Sequence, residues 1–362
     1  MKGKYRTGIS LLLCAALLLF LLTGCGSGST AETESSAETE TEETGETAET
    51  TETETGSEEL QTIRVAVMTG QPDQYAIYIG TQEGIFEKYG IEVETTEYVA
   101  GIYTIDAIVN GTADTGMMAD YACANRLGNT LDYTDLVIFS ELTMSERNDG
   151  GLYVAPEYVD NLEALDGSTG FITMVGTVTE YYVSRVIEYL GLDEDEQNLI
   201  NIDSTQTALA LVQEGSASAY ITSGSNASYV ESYGWELAVP WSDLGITTGS
   251  YLLTTESYLT ENAELLANYL LALQESFDYI TDHLDEATEK VVENFGVVED
   301  DFQTEWTSFN FALGLSIEGA DHLQEIADWA LEHGSYDTAY DVRQFYNAAA
   351  AEIAFPDKSD YE

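Results

Sequence analysis

The clearest indication of a fold lies in residues 62–101, which read TIRVAVMTGQPDQYAIYIGTQEGIFEKYGIEVETTEYVAG. β-Branched residues alternate from Ile63 to Val67 in a short apolar run, a pattern typical of a buried strand. A polar turn at residues 69–73 ends this run, and an apolar helix pattern begins at Ala76. A second alternating run, residues 91–95, follows two glycines. The segment therefore predicts a right-handed βαβ unit in an α/β domain.

A ligand site is expected where the first of these strands ends. In open α/β sheets, small ligands bind beyond the carboxyl ends of the strands. The polar loop at that point carries Gln71, Asp73 and Tyr75. We therefore predict these three residues as ligand contacts.

Three short motifs are spaced along the chain. Residues 83–93 read EGIFEKYGIEV, residues 110–116 read NGTADTG, and residues 161–167 read NLEALDG. Together they resemble the SsuA/THI5-like (NMT1) family, which comprises solute-binding proteins of ABC importers. The resemblance implies an α/β, two-lobed periplasmic-binding-protein type II fold with a discontinuous first lobe.

The predicted elements repeat their strand–helix order after residue 142. A run at residues 251–255 resembles the strand that returns to lobe one, and only helices are predicted after it. Closure is expected as a hinge motion between residues 140–145 and 240–248. The predicted divisions are a signal segment at 1–24, a tether at 25–60, lobe one at 61–142 and 242–362, and lobe two at 143–241.

The N-terminus has the pattern of a secretory signal. Lys2, Lys4 and Arg6 precede an apolar stretch at residues 9–22 that is short for a membrane span. The sequence LTGC then resembles a bacterial lipobox, which implies cleavage before Cys25 and lipidation of its thiol. The alternative is an ordinary signal peptide with a chance cysteine.

Composition after the signal predicts a tether and limits the partners. Residues 26–59 are a Glu/Thr-rich tract with almost no apolar side chains, so we predict disorder there. The formal net charge is −55, from 11 basic and 66 acidic residues. Such a charge disfavours nucleic acid and anionic membranes as partners.

Catalytic motifs are missing from the sequence. It has no H-E-x-x-H, C-x-x-C or G-x-S-x-G pattern. Some THI5-like members make a pyrimidine with a cysteine-rich iron motif, and this chain lacks such a run. His283, His322 and His333 fall on C-terminal helices, apart from the strand-end loops, and Cys123 is expected as a small core residue. We therefore predict no enzyme and no cofactor.

The family resemblance adds ligand contacts at other strand ends. The position after the third strand contacts ligand in the family, and it falls here on Asp120 and Tyr121; Asp120 could instead be a helix N-cap. The full set of candidate contacts is Gln71, Asp73, Tyr75, Tyr103, Asp120, Tyr121, Glu141, Gly176, Thr177, Thr179, Ser223 and Asn226.

The predicted cleft loops are rich in tyrosines and acids and contain one basic residue, Arg147. Aromatic faces and carboxylates suit a neutral or cationic heterocycle, such as a thiamine-precursor-like pyrimidine. A small anion (sulfonate, nitrate) at the helix opening after Gly176 is the alternative, and several of the tyrosines could simply pack.

The sequence thus predicts an extracytoplasmic, lipid-anchored, monomeric solute-binding protein. Its partners would be a small molecule, an ABC permease and, through the N-terminal lipid, the cell membrane. A solute-sensing surface receptor without transport is the other class. Deleting the neighbouring permease genes would separate the two, because import would stop only for a transporter component.

Overall fold

Two β-sheets organise the part of the chain that the computed structural model describes. That part comprises residues 60–146, 150–168, 170–356, 358 and 361. The predicted signal segment, Cys25, the tether up to residue 59 and Arg147 lie outside it.

The strands are short and alternate with helices along most of the chain. In chain order the strands are β1 (Gln61–Met68), β2 (Ile91–Tyr98), β3 (Thr115–Ala119), β4 (Leu136–Glu146), β5 (Gly150–Val154), β6 (Phe171–Thr173), β7 (Leu199–Asn201), β8 (Ala219–Ser223), β9 (Glu236–Pro240), β10 (Thr247–Thr255) and β11 (Phe311–Gly314). The helices are α1 (Pro72–Gln82), α2 (Ile85–Lys88), α3 (Gly101–Val109), α4 (Asp120–Thr130), α5 (Val178–Tyr189), α6 (Thr205–Glu214), α7 (Gly224–Ser232), α8 (Trp241–Leu244), α9 (Glu256–Asp282), α10 (Leu284–Phe295), α11 (Glu299–Ser308), α12 (Ile317–Glu332) and α13 (Ala349–Ala354).

The strand order divides these elements between two lobes. The first sheet has the order β11-β4-β10-β3-β1-β2, and the second has the order β7-β6-β8-β5-β9. β1 pairs in parallel with β2 and β3, whereas β10 lies antiparallel between β3 and β4. The first sheet therefore uses both ends of the described chain, and the second uses one continuous segment. This confirms the predicted two-lobed α/β fold with a discontinuous first lobe.

Each sheet has its own hydrophobic core. In the second lobe, alternate residues of β5 face opposite sides, so Leu152 and Val154 pack in one cluster and Tyr153 in another. In the first lobe, α9 contributes buried residues such as Leu270 and Phe277 to the cluster around the sheet. Burying one such large apolar side chain is worth about 1.5–3 kcal/mol.

Two paired strands carry the chain between the lobes. β4 and β10 pair along their whole length, as far as Glu146 opposite Thr247. β4 thus remains in the first sheet beyond residue 142, and Ile246 still packs in the second lobe's core. The predicted hinge segments coincide with this ladder and its approach, and motion about them stays a prediction.

Two local predictions are wrong. α1 begins at Pro72 rather than Ala76, because proline at the first helical position is already preset for the helix. Residues after Thr255 are not only helical: Phe311 of β11 pairs with Thr143 of β4 and stacks on Phe277, with ring centroids 4.1 Å apart.

Candidate functional site

Polar loops gather at one edge of each sheet. β1, β2 and β3 each end just before the first turn of a helix, namely α1, α3 and α4. Since β10 runs antiparallel, its first residues, beginning at Thr247, lie at the same edge. In the second lobe, β6 and β8 end before α5 and α7. These carboxyl edges are where open α/β sheets bind ligands.

An aromatic junction connects the two lobes at these edges. We use this name for Tyr121 of α4, Tyr181 of α5 and Trp329 of α12. The Tyr121 and Tyr181 rings stack with centroids 5.9 Å apart and planes 17° from parallel. Trp329 meets Tyr181 edge-on at 4.8 Å and Tyr121 at 5.7 Å. The strand-end segments of both lobes are therefore in direct contact.

The Tyr121 hydroxyl adds a hydrogen bond across this junction. It donates to Oε2 of Glu180 at 3.1 Å, and its oxygen lies 2.9 Å from Oγ of Ser335. Because a phenol carries one hydrogen, Ser335 is then the donor in the second bond. Burial, reinforced by the Glu180 carboxylate, raises the pKa of Tyr121 to about 12. The hydroxyl thus stays protonated and able to donate.

Asp120 connects three segments that are distant in sequence. It is fully buried. Its Oδ1 accepts from the Tyr121 N–H at 2.7 Å, and its Oδ2 accepts from the Gly249 N–H at 2.7 Å and contacts Nε2 of His322 at 3.0 Å. Ala119 is the N-cap of α4, so the N-cap alternative for Asp120 is wrong. Asp120 instead holds α4, β10 and α12 together.

His322 corrects the prediction that all three histidines lie apart from the strand-end loops. Its imidazole faces Asp120 at the end of β3. His283 fits the prediction better, because it is exposed and stacks on Tyr279 one turn earlier. His333 is also exposed, but it stacks on Trp329 of the aromatic junction. No local sequence pattern in α12 distinguishes His322, because its partner Asp120 lies about two hundred residues earlier in the chain.

The opening of α5 is the predicted anion position, and its N–H groups already have acceptors. Gly176 donates to Oε2 of Glu180 at 2.6 Å, and Thr179 donates to Oγ1 of the N-cap Thr177 at 3.3 Å. Val175 donates to Oδ1 of Asn201 at 3.0 Å. A carboxylate of the protein itself therefore occupies the place an anion would take.

Comparison with known proteins identifies the family. A family model described as NMT1/THI5 like matches residues 71–287, more than half of the chain. The chain belongs to this family. No protein in a search of curated sequences matches it.

Solved structures agree with the two-lobed fold of this NMT1/THI5-like chain. The alkanesulfonate-binding protein SsuA of Xanthomonas axonopodis pv. citri, bound to MOPS, is similar with a TM-score of 0.69 and 15% identity, over 79% of this chain and 98% of that one. The nitrate-binding protein NrtA of Synechocystis PCC 6803 gives 0.61 and 14%, over 82% and 89%. The desulfurization enzyme DSZB gives 0.64 and 12%, over 82% and 99%. At these identities the likeness concerns the fold alone.

Three residues predicted as ligand contacts are packed inside the first lobe of the NMT1/THI5-like chain. Tyr75 lies edge-on between Phe295 and Phe302, with centroids 5.3 Å and 5.2 Å away. Glu141 is buried, and its Oε1 accepts from the Ser316 N–H and Oγ at the start of α12, both at 2.8 Å. Asp73 is fully buried. All three are buried in this structure, and they stay predicted contacts.

Four other predicted contacts are exposed or half-buried. The Tyr103 side chain is 45% exposed in the first turn of α3. Gln71 is the half-buried N-cap of α1 and makes no side-chain cap bond. Ser223 and Asn226 open α7, and both are half-buried. These residues stay predicted contacts.

Two cavities help to locate the site. One of about 450 Å³ lies between α5 and α12, lined by Arg185 on one side and by Trp329 and His333 on the other. Another, of about 440 Å³, lies at the opposite edge of the first sheet, where Arg64 pairs with Asp114. We favour the interlobe edge, because strand ends, helix openings and the aromatic junction meet there.

Two features are absent from the part of the chain that the structure describes. None of the helices in that part of the chain is long and apolar enough to cross a membrane. The same part contains no cluster of three or more His, Cys, Asp or Glu side chains suited to a metal ion. Cys123 is buried and free, as predicted.

Proposed function

We propose that this chain is the extracytoplasmic solute-binding component of an ABC importer, capturing a small molecule between its lobes and delivering it to a permease. Membership of the NMT1/THI5-like family supports a binding role, as does the likeness to proteins whose names describe sulfonate or nitrate binding. We propose binding rather than catalysis, although one similar structure is an enzyme.

The aromatic junction carries this proposal. Tyr121 from the first lobe stacks on Tyr181 from the second and hydrogen-bonds Glu180 beside it. Contacts that exist only when the lobes are together favour the closed state, and a solute touching both lobes adds to that preference. The β4–β10 ladder is the expected hinge.

The ligand we propose is a neutral or cationic heterocycle, for example a thiamine-precursor-like pyrimidine. Exposed tyrosine at Tyr103 and the aromatic junction offer ring faces, and the Glu180 carboxylate accepts hydrogen bonds from amino groups. A small anion is the second candidate, because the similar structures include sulfonate- and nitrate-binding proteins.

The proposed location follows from the N-terminal sequence. Lipidation at Cys25 would tether a monomer to the outer face of the cytoplasmic membrane, within reach of its permease. The sensing alternative keeps the same binding site without transport.

A solute screen tests the binding role. Thermal unfolding is measured with vitamins, pyrimidines, sulfonates and amino acids, because a ligand that binds only the folded state raises its apparent stability. Calorimetry on any hit then compares wild type with Tyr103→Ala and with the control Tyr133→Ala, whose ring is 77% exposed in the loop before β4, near the opposite sheet edge. We expect weaker binding only for Tyr103→Ala. An equal loss of affinity in both variants, or the absence of any solute that raises the unfolding temperature, would argue against an interlobe solute site.

A further inference from the structure

The Glu180 carboxylate lies at the centre of the proposed binding edge. It is in the first turn of α5, half-buried, and it contacts both lobes. Its Oε2 accepts from the Gly176 N–H of its own lobe at 2.6 Å and from the Tyr121 hydroxyl of the other lobe at 3.1 Å. Both donors are uncharged, so neither contact neutralises the carboxylate.

This arrangement changes what the helix opening can bind. Free N–H groups at the start of a helix attract anions, and the partial positive charge of the helix end adds to the attraction. Here a tethered carboxylate has already taken the Gly176 N–H. Glu180 lies in the first turn of α5, so its carboxylate stays tethered close to this N–H. An incoming anion would have to displace it or lie beside it as a like charge.

The same carboxylate favours neutral or cationic solutes that can donate hydrogen bonds. An amino group or a protonated ring nitrogen can donate to the oxygen lone pairs that Gly176 and Tyr121 leave unused. Charge-assisted hydrogen bonds of this type are stronger than neutral ones. The half-buried ring of Tyr181, which stacks on Tyr121, lies next to this carboxylate in sequence, and an aromatic cation could contact it there.

We infer that Glu180 determines the charge preference of the interlobe site, excluding small anions and admitting neutral or cationic solutes that donate hydrogen bonds. The inference rests on the proposed solute-binding function and narrows its substrate class.

The test uses two probes of opposite charge, butanesulfonate and a protonated aminopyridine, in calorimetric titrations. Glu180→Gln removes the charge and keeps a carbonyl oxygen for the Gly176 N–H, so the helix opening retains its shape. Glu214→Gln is the matched control, because it makes the same charge change in the same lobe at an exposed side chain at the end of α6. Glu180→Ala is a second variant, which removes the acceptor altogether.

We expect Glu180→Gln and Glu180→Ala to bind butanesulfonate at least tenfold more tightly than wild type, equivalent to about 1.4 kcal/mol. Both should bind the aminopyridine more weakly, and Glu214→Gln should match wild type for both probes. Equal butanesulfonate affinity in wild type and both Glu180 variants, or a wild type that already prefers the sulfonate, would overturn the inference. The solute screen on wild type keeps the two conclusions apart: a hit there with no change of charge preference refutes only the role of Glu180.

Discussion

Replacing Asp73 by asparagine should change how the stability of the protein depends on pH. The Asp73 side chain is fully buried in the first turn of α1, and neither carboxylate oxygen has a hydrogen-bond partner. The Tyr269 hydroxyl, also buried, lacks a partner too. Burial raises the pKa of Asp73 to about 7, and nearby backbone N–H groups offset only part of this effect.

The size of the effect follows from the two pKa values. An aspartate in an unfolded chain has a pKa of about 3.9, so folding raises it by about three units, worth about 4 kcal/mol. Between about pH 4 and pH 7 the unfolded chain has lost this proton while the folded chain keeps it. Raising the pH through that window therefore lowers the free energy of unfolding, and above about pH 7 the loss is complete.

Urea unfolding at several pH values between about 4 and 8, followed by tryptophan fluorescence, measures this dependence. As the pH rises through this window, the free energy of unfolding of wild type should fall by about 4 kcal/mol relative to that of Asp73→Asn. Glu87→Gln, at an exposed position in α2, is the control variant measured alongside it. A pH-independent difference for Asp73→Asn would refute the reasoning.

Three other changes are expected to have measurable effects. Tyr121→Phe removes the hydroxyl that hydrogen-bonds to Glu180. A double-mutant cycle with Glu180→Gln should give a coupling of about 1 kcal/mol in the free energy of unfolding. Zero coupling would contradict the interlobe hydrogen bond. Gly319→Ala would bring a Cβ to 2.0 Å from Oε1 of Glu141, which is held by its hydrogen bond to the start of α12. We therefore expect the free energy of unfolding in urea to fall by about 1–3 kcal/mol, and an unchanged unfolding midpoint would contradict this. Cys25→Ser should move the protein from the membrane to the soluble fraction, and unchanged membrane retention would exclude the lipid anchor.

The fold was largely predictable because its signals are local. The alternation of Ile63 to Val67 and the glycines that close the helices, such as Gly84 with φ +71°, are determined by neighbouring residues. β11 was not predictable in this way. Its four residues form a strand only because they pair with β4, whose residue Thr143 is far away in sequence. The start of α1 could have been found, since Pro72 is itself a helix-start signal.

The candidate site was predictable only in part, for a similar reason. Asp120 and Tyr121 follow a strand, and that position alone indicated a functional edge. The groups that meet Asp120, Gly249 and His322, come from the other end of the chain and have no local signature. Tyr75 packs between Phe295 and Phe302, and sequence does not distinguish a tyrosine that packs near a strand end from one that faces a cleft.

The position of β10 has a consequence for how the chain folds. It lies between β3 and β4 in the sheet but follows both of them by about a hundred residues. The first sheet therefore lacks β10 until residue 255 is available and β11 until residue 314 is, whereas every strand of the second sheet has been made by residue 240. Contacts between distant segments slow folding, so the second lobe should acquire protection against hydrogen exchange earlier than β3 during refolding. Simultaneous protection of β3 and β8 would contradict this order of assembly.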